Sequence, residues 1–332
     1  MTATAIKVGV IGAGAWGTAL AAVAVRAGCT VVQWARSEDV CRAINQDHTN
    51  KTYLPGIMLP DGLAATTNAG DLADRDMVLL ATPAQAMRAV MRQFTPALPA
   101  GIPAVINSKG IERETGLFLS DVLVETCPDL VPAVLSGPSF AADVTRGLPT
   151  AVTVAAQSME TAQSIAAALS LPTFRIYAST DLKGVQLCGA VKNVLAIACG
   201  ICDGKRLGDS ARAALITRGF AELGRLAHAL NVSPATLSGL SGLGDLILTC
   251  SSRQSRNFSL GAALGEGQTL TDIMAARRTV TEGVHSAEVV VELAAKHDIE
   301  MPIAEAVYGI VTGRSSADDE ISRLLARPVG SE

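Results

Sequence analysis

A chain of 332 residues, 49% of them hydrophobic, holds enough apolar material for two ordinary domains and too much for a disordered polymer. A formal charge of -4 and only 3% aromatic residues exclude nucleic acid as a partner, because there is neither a basic field for a phosphate backbone nor a stacking platform for bases. Seven cysteines, odd in number and scattered, with no basic leader or cleavage site after Met1, make the reducing cytoplasm the expected location.

In chain order, the apolar run Lys7–Ile11 ends in glycines and predicts a strand, followed by an alanine-rich helix over 16–27. The β-branched run Thr30–Trp34 predicts a second strand. Further strands are expected at 77–81, 104–107 and 133–135, with helices at 84–94 and 116–126 between them. Strands at 151–155 and 174–177 flank a helix over Met159–Leu169. Short apolar strands alternating with helices indicate a parallel, doubly wound α/β sheet. Beyond about residue 180 the strand signals vanish. Helices are expected at 182–202, 210–230, 254–265 and 286–297, and a polar turn at 315–320 precedes a last short helix. The expected organisation is an α/β domain over 1–180 and an all-α domain over 181–332.

The most lipid-like stretch, 185–202, carries Lys192 and Asn193 near its middle. A bare charge there costs roughly 2.5–3.5 kcal/mol in a bilayer, so it reads as a buried helix of a soluble protein, without stable membrane insertion. Cys199 and Cys202 form a CxxC on that helix, but no second Cys or His pair lies nearby, and core packing outweighs redox or zinc chemistry. His48, His228, His285 and His297 stand apart, so no metal site is expected.

The first strand and helix are joined by GAGAWG, with Gly12, Gly14 and Gly17 in a GxGxxG arrangement. Gly12 allows a tight turn, Gly14 lets the backbone approach a pyrophosphate, and Gly17 lets helix and strand pack closely. Free amides at the helix start then face the phosphates. This is the signature of a Rossmann-type, dinucleotide-binding sheet; the competing reading is a glycine-rich turn of another α/β fold. The second strand normally ends in an acid that grips the ribose hydroxyls of NAD. Here Trp34-Ala35-Arg36-Ser37 stands in that place. Arg36 either neutralises a 2′-phosphate or stacks on adenine, so NADP(H) is expected to be accepted and preferred over NAD; otherwise Arg36 is a solvated surface residue.

Lys192 lies in LCGAVKNVLAIACG, with small and apolar residues on every side. Burial lowers a lysine pKa and suits it to hand a proton to a carbonyl oxygen. The alternative is a lysine that snorkels at a domain seam. Lys109 and Ser139 follow predicted strands at their carboxyl ends, where ligands bind in open sheets, although either is also an ordinary turn residue. Asp245, after three glycines, is either a helix N-cap or the counter-charge of a lysine. Ser255, Arg256 and Asn257 at a helix start suit a phosphate, or make up a solvated polar loop.

Taken together, GAGAWGTALA, WAR, LPGI, SKGIE, SGPSFA, GVQLCGAVKNVLAIACG, ARAALITRG, GLGDLILTC, QSRN and TEGV follow in an order and spacing that resembles the bacterial NAD(P)-dependent glycerol-3-phosphate dehydrogenases, over nearly the whole chain. The resemblance implies reduction of glycerone phosphate to glycerol 3-phosphate, the backbone of glycerophospholipids, with Lys192 as proton donor and acceptor. It implies that Lys109 and Asp245 shape the catalytic centre, with Thr249 and Asn193 in support. Gly137, Ser139, Ser255, Arg256 and Asn257 match substrate contacts. Ala15, Trp16, Arg36, Lys109, Ala141, Arg256, Val280 and Glu282 match cofactor contacts. A homodimer is implied by resemblance alone. The sequence departs from the family in KRLGDSARAAL, where Ser210 replaces a usual Asn and Lys205-Arg206 charge a normally apolar turn. The other readings are a β-hydroxyacid dehydrogenase, against which the phosphate-suited cluster at 255–257 argues, and a non-catalytic dinucleotide sensor, which leaves Lys192 unexplained.

Overall fold

The computed structural model describes residues 5–276 and 281–328. Eight strands build one sheet: β1 (Lys7–Ile11), β2 (Thr30–Trp34), β3 (Leu63–Thr66), β4 (Met77–Leu80), β5 (Pro103–Ile106), β6 (Val131–Ser136), β7 (Thr150–Ala156) and β8 (Phe174–Ser179). Their order is β3-β2-β1-β4-β5-β6-β7-β8. Alternation along β1 sends Val8 and Val10 into one apolar layer, with Ala19, Leu20 and Val23 of the helix Ala15–Arg26. Ile11 faces the other layer, against Met87, Met91 and Phe94 of Met87–Phe94 and Leu119 and Val122 of Leu119–Thr126. Helices cover both faces of the sheet, as the alternating pattern requires.

Two features of the sheet depart from the expected pattern. Strand β3 was not expected, because Leu-Ala-Ala-Thr carries almost no strand signal. Its backbone is secured by Asn45, on the helix Glu38–Asp47, which donates to Ala65 O at 2.9 Å and accepts from Ala65 N at 2.7 Å. The side chain replaces a missing neighbouring strand. Strands β6 and β7 pair antiparallel, unlike the other neighbours. The connection between them holds one helix, Ala141–Thr145, which climbs about 8 Å against the roughly 20 Å of a six-residue strand. Without a full crossover the chain re-enters from the edge it left.

The chain divides into two compact units. The first runs to Ser108 and resumes over Leu117–Gln186; the second takes Lys109–Gly116 and the residues from Leu187 onward. The second unit is helical. Leu182–Gly204 leads into it, and Asp209–Ala229, Asp245–Cys250, Arg256–Gly265, Glu282–Ala295, Pro302–Val311 and Ala317–Leu325 are its main further helices. Leu182–Gly204 is, among the described residues, the one helix long and apolar enough to cross a membrane, with mean hydropathy 1.7, and its most apolar window is wholly covered by protein. Cys199 and Cys202 are buried free thiols on it. The polar stretch at 315–320 starts the last helix, where Ser316 Oγ accepts from Asp319 N at 3.1 Å and Asp319 bonds back to the cap. Glu222 caps a neighbouring helix from outside, accepting from Ile303 N at 2.8 Å and Ala304 N at 3.4 Å. Burial pushes its carboxyl up to about 7, although both N–H groups favour the charged form.

Two helices meet through glycines. A Cβ at Gly200 or Gly204 would overlap the carbonyl oxygen of Phe258 or Ala262, and one at Gly261 would overlap that of Ile197. The backbones of Leu182–Gly204 and Arg256–Gly265 therefore touch directly. Gly200→Ala must part them, and a loss of about 1–3 kcal/mol is expected in urea unfolding; an unchanged unfolding midpoint contradicts so close a crossing.

Candidate active site

The second unit gathers three charges. Asp245 opens the helix Asp245–Cys250, directly after a π-helical turn at Leu240–Gly244, and is 1% exposed. Its side chain does not cap the helix. Instead Oδ1 accepts from Lys192 Nζ at 2.6 Å and Oδ2 from Lys109 Nζ at 2.6 Å. Lys192 also donates to Thr249 Oγ1 at 2.8 Å, and Thr249 donates to Asp245 Oδ1 at 3.2 Å. The Lys192 side chain is 7% exposed and that of Lys109 18%, so Lys192 does not snorkel.

Two ammonium groups share one carboxylate, and the electrostatics follow. Burial first, then the charge of Lys109, lowers the Lys192 pKa from 10.5 to about 7, against the pull of Asp245. For Asp245, burial favours the neutral acid, but the two lysines outweigh it and hold the carboxyl below its ordinary range. The cluster thus keeps a fixed anion beside an amine that changes charge near neutrality.

A chain of amides ties this cluster to the next helix start. Asn193 Nδ2 donates to Lys109 O at 2.9 Å, and Asn193 Oδ1 accepts from Asn257 Nδ2 at 2.8 Å. Asn257 Oδ1 in turn accepts from Gly283 N at 3.0 Å. A Cβ at Gly283 would lie 2.7 Å from both Asn193 O and Asn257 Oδ1, so the approach needs glycine. Ser255 caps Arg256–Gly265, its Oγ accepting from Phe258 N at 3.2 Å. Arg256 is the first residue of that helix; burial lowers its guanidinium pKa from the ordinary value, against the attraction of Glu282 in the first turn of Glu282–Ala295. Val280 lies outside the described residues.

The first unit holds the glycine-rich loop, at the carboxyl end of β1. Gly12 has φ +113°, and a Cβ there would come within 2.7 Å of Ala81 O; one on Gly17 would overlap Gly12 O. Around Gly14 a Cβ would meet nothing within 4 Å. The two closed positions shape the turn, and the open one leaves room for a ligand against the backbone, which fits a pyrophosphate. Ala15 and Trp16 start the helix, where amides lack helical acceptors, and Trp16 Nε1 is buried with no partner among the described residues. Arg36 is exposed, just beyond β2. Gly137 follows β6 with φ +152°, 2.8 Å from Val152 Cα by the same test, and Ser139 donates to its carbonyl at 3.0 Å; Ala141 begins the next helix.

The sequence reading passed over Thr82 and Asn107, at the carboxyl ends of β4 and β5. Ser108 Oγ donates to Thr82 O, Asn107 Nδ2 donates to Val105 O at 2.7 Å, and Thr82 Oγ1 and Asn107 Oδ1 find no partner among the described residues. Their position at strand ends was the available signal.

Residues 7–162 match the N-terminus, and residues 181–322 the C-terminus, of the NAD-dependent glycerol-3-phosphate dehydrogenases. The chain belongs to this family. It is 56% identical to the glycerol-3-phosphate dehydrogenase [NAD(P)+] of Parvibaculum lavamentivorans over all of both chains. It is 53% identical to that of Caulobacter vibrioides over 98% of each. The crystal structure of the Coxiella burnetii glycerol-3-phosphate dehydrogenase superposes with a TM-score of 0.92 at 38% identity, over 97% of this chain and 99% of that one.

Within the family's C-terminal portion, Asp245 is the shared acceptor of both lysines. Asp245→Asn leaves the buried Lys192 and the half-buried Lys109 without their anion, and a cost of about 3–5 kcal/mol is expected at pH 6. Lys192 is protonated there and neutral well above pH 7, so the loss must shrink by pH 9. Equal losses at both pH values in chemical denaturation would contradict this charge assignment.

Proposed function

We propose that this chain is a glycerol-3-phosphate dehydrogenase that interconverts glycerone phosphate and glycerol 3-phosphate with NAD(P)H, its first unit taking the dinucleotide and its second the substrate. The observation that carries the reading is the valence of Lys192. An ammonium has three N–H groups; two go to Asp245 and Thr249, and the third has no acceptor among the described residues. In the neutral amine, two N–H groups keep the same partners and the lone pair takes the third direction. One proton can leave and return without disturbing the cluster.

When bound, reduced nicotinamide supplies the hydride that adds to C2 of the ketone. Lys192 gives its third proton to the carbonyl oxygen, so that C=O becomes CH–OH and the amine is left neutral. Lys109 adds positive potential at the same oxygen. The substrate phosphate is held by Arg256 and the first-turn amides of Arg256–Gly265, with Ser255 and Asn257 beside them. Anchoring the remote phosphate converts binding energy into orientation of the carbonyl. Gly137 and Ser139 complete the substrate contacts, and Gly12, Gly14, Ala15, Trp16, Gly17, Arg36, Ala141, Val280 and Glu282 those to the cofactor. The same reading, from family resemblance, takes the protein to be a homodimer of the cytoplasm; all seven cysteines are free thiols.

Lys192→Ala is expected to lower kcat by about 10²–10⁴-fold while NADPH still binds. Because the amine loses its proton near pH 7, kcat/KM for ketone reduction must fall as pH rises through about 7. Oxidation of glycerol 3-phosphate, which needs the neutral amine, must rise through the same value. Near-normal turnover in the alanine variant, or parallel pH profiles in the two directions, would sink the mechanism.

We infer from Arg36, exposed where a carboxylate would select NAD, that NADPH is preferred over NADH. Arg36→Ala should raise KM for NADPH about 10–100-fold more than KM for NADH, consistent with loss of one charge-assisted phosphate contact worth about 1.5–3 kcal/mol. Equal losses for both cofactors would refute the preference.

A further inference from the structure

Beneath the glycine-rich loop lies a fully buried polar knot that none of the cofactor contacts above includes. Thr18, in the first turns of Ala15–Arg26, is 0% exposed, Gln33 of β2 is 0% and Asn50 is 1%. Gln33 Nε2 donates to Gly12 O at 3.0 Å and to Thr18 Oγ1 at 3.2 Å. Asn50 Nδ2 donates to Ala13 O at 2.9 Å and to Thr18 Oγ1 at 2.9 Å. Each amide spends both hydrogens, one on a loop carbonyl and one on the shared hydroxyl oxygen.

The orientation of both amides is chemically forced. Turning either one over would set its oxygen against a loop carbonyl, which has no hydrogen to give. The pairing also fixes which way the loop faces. With the carbonyls of Gly12 and Ala13 turned inward and bound, they cannot turn toward an anion. The amides of the following helix start are then the groups left to meet it. Burying such groups is costly, the more so because Gln33 Oε1 and Asn50 Oδ1 find no partner among the described residues; the amide hydrogens are spent on the two peptide units directly before Gly14 and on Thr18.

We infer that Thr18, Gln33 and Asn50 are positioning residues for dinucleotide binding: they hold the loop carbonyls away from the pyrophosphate and preorganise the amides that bind it. This rests on the reading that the loop at Gly12–Gly17 is the pyrophosphate site. None of the three touches the cofactor in this account. They act on affinity, through the loop, and not on proton or hydride transfer.

The test is a titration of the full-length protein with NADPH, paired with steady-state kinetics. Thr18→Val keeps the shape of the side chain and removes the shared acceptor. It should weaken NADPH binding roughly 5–30-fold, the equivalent of one or two hydrogen bonds. The value of kcat at saturating NADPH and KM for glycerone phosphate should stay within about threefold. Thr18→Ser, which keeps the oxygen, should restore NADPH affinity. A role in folding alone would lower the melting temperature of Thr18→Val with NADPH affinity intact, and that outcome overturns the inference. Gly14→Asp tests the underlying reading separately, since the fold has room for its Cβ and a carboxylate there repels a pyrophosphate. If Gly14→Asp binds NADPH normally, the loop itself is not the site. If Gly14→Asp abolishes binding and Thr18→Val does not weaken it, the loop is the site and the positioning role is wrong.

Discussion

A single carboxylate shared between two ammonium groups sets the terms for the second unit. Asp245 could not remain ionised at 1% exposure without the lysines, and a buried lysine could not sit charged within reach of a half-buried one without Asp245. The three side chains come from sequence-distant segments: the 109–116 stretch, the middle of Leu182–Gly204 and the first residue of Asp245–Cys250, just after the π-helical turn. Everything that fixes those segments, including the direct glycine contact of Leu182–Gly204 with Arg256–Gly265 and the Asn193–Asn257 bond, bears on how tightly the charges are held.

Cations do two different jobs in this unit, and their surroundings decide which. Arg256, at a helix start, stays charged at any physiological pH although burial lowers its pKa, because a guanidinium starts so far above neutrality. Lys192 is kept from water and crowded by Lys109, so its charge becomes negotiable near neutrality. The two residue types are not interchangeable in this respect, because a guanidinium in the place of Lys192 would keep its proton across the whole physiological range.

Much of this could be read in the residues, because the decisive features are local. GxGxxG constrains five consecutive peptide units, and an unaccompanied lysine in an apolar helix stands out wherever it falls. Strands β1 and β2 have the expected bounds, since their apolar runs begin and end abruptly. What escaped was written in tertiary pairing. The β3 segment becomes a strand because β2 and Asn45 offer it partners, not because its own residues favour extension. The reversal at β7 comes from a connection too short to cross the sheet. At Asp245 the sequence left two roles open, and only the approach of residues 53 and 136 positions away distinguishes them. Gln33 and Asn50 gave no warning at all: a glutamine inside a strand and an asparagine in a loop look ordinary until both are found on one threonine.

The brief excursion of Lys109–Gly116 out of the sheet unit and into the helical one makes the helical half discontinuous in sequence. A fragment cut from the chain anywhere near residue 180 would carry Asp245 with one ammonium partner instead of two, and Asn193 without the carbonyl it binds. The two halves are therefore not modules to be exchanged by a single splice. A chimera that replaces the first half also replaces Lys109–Gly116, and with it one of the two cations that hold Asp245.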